Sequence, residues 1–206
     1  MLLHANLDVD VGMGFASPVL SSQAVFRCVM DALARPGSIQ AIADVASAPP
    51  LFMPAAAVVA LTLFDHDTPI WLDRRFGAES DIASWLRFQT GAPLTGDASL
   101  AAFALIYSGA ALPDLESFAS GTPEYPDRST MMLVQVDTLS EGAELILSGP
   151  GIRGTSSLRA GALPSDFLRR MQANRALFPR GVDLLLVCGN ELVALPRSTH
   201  VAAKEA

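Results

Sequence analysis

Asp65-His66-Asp67 is the densest cluster of groups able to bind a metal or move a proton. Two aspartates flanking one residue on a loop can chelate a divalent cation through oxygen. No third or fourth ligand follows at a recognisable spacing, and Asp67-Thr68-Pro69 is the composition of an ordinary turn that Asp65 can close. The structural role outweighs the metal one, and no metal site is expected. His4 and His200 lie near the two termini, and nothing in the sequence brings them to His66.

Other motifs carry less chemistry. Gly149-Pro150-Gly151-Ile152-Arg153-Gly154 matches G-x-G-x-x-G after a strand-like run. A dinucleotide fingerprint needs the third glycine to open a helix and an acidic residue about twenty positions on. Thr155-Ser156-Ser157 follows instead, and Asp166 comes too early, so the segment reads as a glycine-rich turn between strands. No G-x-S-x-G elbow occurs among the serines. Cys28 and Cys188 have neither a disulfide framework nor metal-ligand spacing. Both sit in apolar runs and read as buried free thiols, and Cys188 has no basic neighbour in sequence to lower its pKa.

Thirteen of the fourteen basic residues are arginine, and the single lysine is Lys204, close to the C-terminus. A Schiff base or a Walker A loop needs a lysine in a structured pocket, so pyridoxal-phosphate catalysis and P-loop hydrolysis are disfavoured. Guanidinium groups bind phosphate or carboxylate bidentately and also anchor interfaces. Arg87 beside Phe88, Arg169, Arg170 and Arg175 on a late helix, Arg180 in Phe178-Pro179-Arg180-Gly181, and Arg197 near the end are the positions available. For each alone, a solvated or salt-bridged role is the better expectation. The candidate ligand-binding groups are therefore Arg87, Arg180, Arg197, Asp65 and Asp67, with no catalytic residue assigned.

The elements that must position these groups follow from periodicity. Apolar spacing predicts a helix from Ser21, capped by Ser21 or Ser22 and stopped by Pro36-Gly37. Ser38 to Ile42 reads as a short strand, and Pro54 opens a buried helix ending near Phe64. Pro69 to Leu72 is a strand, Ile82 to Gln89 a helix closed by Gly91, and Leu100 to Tyr107 a strand candidate whose alanines also allow a helix. Pro113 to Ser120 reads as a short helix. Met131 to Val136 and Glu144 to Leu147 read as two strands joined by a turn at Ser140-Glu141-Gly142. An amphipathic helix spans Pro164 to about Leu177. Val182 to Cys188 and Glu191 to Leu195 then form a hairpin through Gly189-Asn190. The nearly all-apolar first arm fits a central strand covered on both faces. The expectation is one α/β domain over residues 1–206, a mixed central sheet flanked by helices, with 1–18 and 202–206 irregular.

Length and composition agree. The 206 residues are 50% hydrophobic and only 17% charged, against about 25% charged in an average soluble domain. Either much of the chain is buried inside, or part of its outside is buried against another chain. A net charge of −7 argues against a nucleic-acid binder. The longest apolar stretch, Leu51 to Phe64, is broken by Pro54 and too short to span a bilayer. With no basic residue before Arg27, the reading is cytoplasmic, with no membrane partner.

Several segments resemble one family, the H subunit of bacterial carbon–phosphorus lyase (PhnH). They are FRCVMDALARPG from Phe26, LTLFDHDTPIWL from Leu61, LRFQTGAPL from Leu86, Gly121-Thr122, LSGPGI from Leu147, and FPRGVDLLLVCGNELVALPRSTHV from Phe178 to Val201. The resemblance runs from about Phe26 to Val201. It implies a subunit of the machinery that forms α-D-ribose 1-methylphosphonate 5-triphosphate from ATP and methylphosphonate in phosphonate catabolism. It also implies a homodimer working with G, I and J partners, and a fold resembling pyridoxal-phosphate transferases without the cofactor. Catalysis in that machinery is attributed to the partners, so an accessory or structural subunit of a transferase or lyase complex is expected. The alternative is a nucleotide- or phosphonate-binding module using its arginines.

Overall fold

The computed structural model describes residues 15, 17–43, 46–78 and 80–204. In chain order the helices and strands are α1 (Pro18–Ala34), β1 (Gln40–Ala41), α2 (Pro54–Leu63), β2 (Ile70–Leu72), α3 (Arg74–Ala78) and α4 (Ser80–Thr90). They continue with β3 (Leu94–Thr95), β4 (Phe103–Ile106), β5 (Met131–Gln135), β6 (Glu144–Ser148) and β7 (Ser156–Arg159). The last are α5 (Phe167–Ala176), β8 (Asp183–Cys188), β9 (Glu191–Leu195) and β10 (His200–Ala203). Short 3₁₀ turns cover Ala98–Leu100, Gly109–Ala111 and Leu115–Ser117. This is an α/β domain with a mixed sheet, as its alternating pattern predicts.

The main sheet has seven strands in the order β1-β9-β8-β5-β4-β2-β3. β3, β2, β4, β5 and β8 run parallel, β9 pairs antiparallel with β8, and β1 pairs antiparallel with β9. Leu184, Leu185, Leu186 and Val187 of β8 are fully buried, as a strand covered on both faces requires. Alternation along each strand feeds two cores. Leu105, Leu133, Leu185 and Ala194 pack under α1, α2 and α4; Ala104, Val134, Leu186 and Val193 face the other way. Covering the second face are α5 and a three-stranded sheet, β10-β6-β7, so helices alone flank one side of the main sheet, and one helix with a small sheet flanks the other.

That second sheet corrects the pairing suggested by the turn at Ser140-Glu141-Gly142. β5 pairs with β4 and β8, while β6 pairs with β7 and β10 in the other layer. A turn signal cannot tell a hairpin from a strand that changes sheet. Other ends move too. α1 begins at Pro18 rather than Ser21, because proline at the first helical position costs no backbone hydrogen bond. The Pro113–Ser120 helix shrinks to a 3₁₀ turn, and β10 extends order through Ala203. The reading of residues 1–14 as irregular, and His4 with it, lies outside the described residues.

The glycine-rich segment is a turn between strands, joining β6 to β7. Its backbone lies against the end of α1: a β-carbon on Gly151 would sit 2.1 Å from the Ala34 carbonyl oxygen, and φ there is +81°. Gly37, also at +81°, leaves no room beneath the Leu147 side chain, 2.4 Å from an added β-carbon. Two distant glycine motifs thus exist to let the two layers meet. Gly151→Ala is expected to cost more than about 2 kcal/mol, from left-handed strain plus overlap with a carbonyl. The urea midpoint checks this; a midpoint equal to that of the unsubstituted chain would contradict it.

Candidate functional site

In an open parallel sheet, ligands settle outside the carboxyl ends of the strands, where successive connections leave in opposite directions. Here β2 connects outward to β3, and β4 connects the other way to β5, so the crevice falls between β2 and β4. Asp73 follows β2 and Tyr107 follows β4. The Asp73 carboxylate is buried, 7% exposed. Its Oδ1 accepts from the backbone N–H of Arg75 at 2.9 Å and of Phe76 at 3.0 Å, and its Oδ2 accepts from that of Tyr107 at 2.5 Å. One side chain therefore caps α3 and ties it to the end of β4. The Arg75 guanidinium lies 5.3 Å from the centre of the Tyr107 ring, and Phe76 meets that ring edge-on.

Gln135 ends β5 beside this crevice, buried at 2% exposure. Its Oε1 accepts from Met53 N–H at 2.7 Å, and its Nε2 donates to the carbonyls of Leu51 at 3.0 Å and Tyr107 at 3.4 Å. Leu51 sits at φ +73°, a conformation that costs a non-glycine residue about 1–2 kcal/mol. The Gln135 amide holds that strained loop against the sheet. Between loop and strand ends lies a cavity of about 320 Å³, with Tyr107, Ser108 and Asp137 on its wall. The Ser108 hydroxyl can donate or accept a hydrogen bond there, and the Asp137 carboxylate can accept one. Among the described residues no histidine stands on this edge to make a nucleophile–base pair.

Cys188, at the end of β8, donates its thiol to the Asp137 carbonyl at 3.4 Å. Burial, then the Glu191 and Asp137 carboxylates, raise its pKa, while burial and Asp31 do the same for Cys28. Both cysteines are free but half-buried rather than fully buried.

A second groove, about 450 Å³, runs between α4 and the edge strand β3 and reaches Leu72 and Gly96 at the strand ends. Arg87 and Ser84 line it from α4.

The remaining sequence candidates lie on the opposite edge. Asp65 and Asp67 precede β2, in an exposed turn where Asp65 Oδ1 accepts from Asp67 N–H at 2.9 Å and His66 Nε2 stands 3.4 Å from Asp67 Oδ2. Among the described residues no group of three histidine, cysteine or acidic side chains is placed to hold a metal. Arg180 precedes β8, half-buried. Arg197 follows β9, where every guanidinium nitrogen is committed: Nε and Nη2 to Asp183, Nη1 to the Pro126 carbonyl at 2.6 Å, and Nη2 also to Ser129. Arg197 fastens the sheet to the 126–129 segment, leaving no donor for a ligand. The five candidates are thus not brought together. Asp73, Tyr107 and Gln135 were missed, although an aspartate directly after Ile70-Trp71-Leu72 and a glutamine closing Met131–Val134 are the polar strand-end signals that mark such an edge.

Two outcomes follow. Gln135→Leu leaves Met53 N–H and the Leu51 carbonyl unpaired and is expected to lower stability by about 2 kcal/mol in urea denaturation. A loss below about 0.5 kcal/mol would mean the amide does not hold the loop. At pH 8 both thiols should react with iodoacetamide more slowly than free cysteine, accelerating as pH rises, because the raised pKa leaves less thiolate. Faster reaction would contradict the assigned environments.

The model of the family described as bacterial phosphonate metabolism protein (PhnH) matches residues 13–202. The alpha-D-ribose 1-methylphosphonate 5-triphosphate synthase subunit PhnH of Rhizobium meliloti (strain 1021) is 45% identical over 187 residues, 91% of this chain and 93% of that protein. A protein of Stutzerimonas stutzeri that carries the provisional name C-P lyase subunit protein HtxG is 30% identical over 184 residues, 89% of this chain and 87% of its own length. The matched span takes in every helix and the two clefts described above, so this chain belongs to the PhnH family of bacterial phosphonate metabolism proteins.

Proposed function

We propose that this protein is the H-type subunit of a bacterial carbon–phosphorus lyase complex, required to form α-D-ribose 1-methylphosphonate 5-triphosphate from ATP and methylphosphonate. Its role is accessory and structural, in the cytoplasm, as a homodimer joined to G, I and J subunits. The relatives' names as subunits support the assembly. A likeness to pyridoxal-phosphate transferases without the cofactor is part of this proposal. It is supported by the five parallel strands and by Lys204, whose Nζ donates to Glu144 Oε2 at 3.2 Å on the second sheet.

The observation that carries the reading is α1. It buries Ser21, Val25, Val29 and Ala32, yet its outer face is also apolar: Val19 is 70% exposed, Phe26 49% and Met30 48%. Val19, Gln23, Phe26, Met30 and the half-buried Leu33 are spaced 4, 3, 4 and 3, the seam by which one helix packs lengthwise on another. The seam is nearly palindromic about Phe26, with Val19 and Leu33 seven residues to either side. That suits an isologous contact with a second copy of the chain.

Tagged protein co-expressed with the G, I and J subunits is expected to purify as a stoichiometric complex; recovery as a lone chain would overturn the subunit reading. In light scattering the isolated protein should be a dimer. Phe26→Glu with Met30→Glu should make it a monomer with unchanged circular dichroism. A double variant that stays dimeric would move the contact elsewhere.

A further inference from the structure

Arginine at a cavity is informative only where its charge is not already matched. One cavity of about 470 Å³ beside α5 is lined by Arg169 and Arg170, but both are neutralised. Arg169 pairs with Asp166 at 2.6 Å, and Arg170 with Asp166 at 2.8 Å and Asp114 at 3.4 Å. Arg170 and then Arg169 hold the Asp166 carboxyl below the usual range. That site has no charge to spare.

The groove between α4 and β3 differs. Among the described residues no acidic side chain lines it, in a chain whose net charge is −7. Arg87 pairs with no described residue. The acid nearest its β3 wall in sequence, Asp97, turns its carboxylate to Ser99, accepting from the backbone N–H at 2.9 Å and the hydroxyl at 2.7 Å. Ser84, one helical turn before Arg87 on the same face, adds a hydroxyl donor. Added β-carbons at Gly77 or Gly96 would meet nothing within 4 Å, so the groove has open room beside the backbone. Leu72, Ala83 and Leu94 add aliphatic lining.

We propose that this groove binds a small organic oxyanion, its charged oxygens on Arg87 and Ser84 and its short apolar substituent against Leu72, Ala83 and Leu94. Planar guanidinium geometry suits two oxygens of a phosphonyl, phosphoryl or carboxyl group. The inference stands apart from the dimer seam on α1 and from any catalytic role.

The test follows the arginine Nε–H resonances of the full chain during titration, at constant ionic strength, with methylphosphonate, inorganic phosphate, acetate or chloride. The Arg87 resonance is expected to shift saturably with methylphosphonate at millimolar concentration, several-fold more weakly with phosphate, and not at all with chloride. Arg87→Met should abolish the saturable response without changing the melting temperature, and Arg87→Lys should weaken it several-fold by losing the bidentate geometry. Acetate matching methylphosphonate would identify the site as carboxylate-competent and uphold it. Equal response to phosphate would remove the aliphatic lining from the argument and overturn the organic-ligand claim. A response shared by chloride, or retained in Arg87→Met, would overturn the site.

Discussion

Asp73 stands where β2 ends and takes three backbone N–H groups, two from the first turn of α3 and one from Tyr107 beyond β4. A buried carboxylate is costly unless its oxygens are satisfied, and here three donors offset that cost. The two strands flanking the reversal point are thereby fixed to each other and to the helix between them. Much follows from that placement. With α3 held, Phe76 is fully buried between Phe52 and Tyr107, edge-on to both rings at 5.7 Å. Phe52 in turn belongs to the loop that Gln135 grips through Leu51 and Met53. A single chain of contacts thus runs along the ends of β2, β4 and β5 and shapes the cleft there.

The two faces of the sheet are covered by different means. One carries α1, α2 and α4, and the other carries α5 and a small antiparallel sheet. The layers are stitched where the turn before β7 meets the end of α1, a contact that tolerates only glycine. This fixes α1 firmly while leaving its outer face apolar. On the proposed reading, low charge content has a structural meaning: apolar residues occupy the outer face of α1 where a free monomer would carry solvated ones.

Much of the fold was legible in the sequence because its signals were local. Proline placed the start of α2, Gly189-Asn190 placed the β8–β9 hairpin, and the apolar run of β8 announced a strand buried on both faces. What escaped was set by tertiary pairing. β3 has two residues and β7 four, too short for periodicity to register, and the crossing of β6 into a second sheet leaves no mark at Ser140-Glu141-Gly142. The site was legible in part. Arg87 was marked as a possible ligand group and lines a groove. Arg197 was marked for the same charge, yet its value is spent inside the protein on Asp183, a partner fourteen residues away that only the β8–β9 pairing brings near. Asp73 and Gln135 stand in the sequence as isolated polar residues, since the edge they share exists only once the parallel order is known.

The central claim is that the chain works through association along α1, and side-chain footprinting by hydroxyl radicals tests it most directly. Phe26, Phe178 and Phe88 are of one chemical type and are 49%, 62% and 70% exposed on a single chain. In the native assembled protein, Phe26 is expected to be modified far less than Phe178 and Phe88, because a partner helix covers it. Modification of all three in proportion to their single-chain exposure would contradict the account.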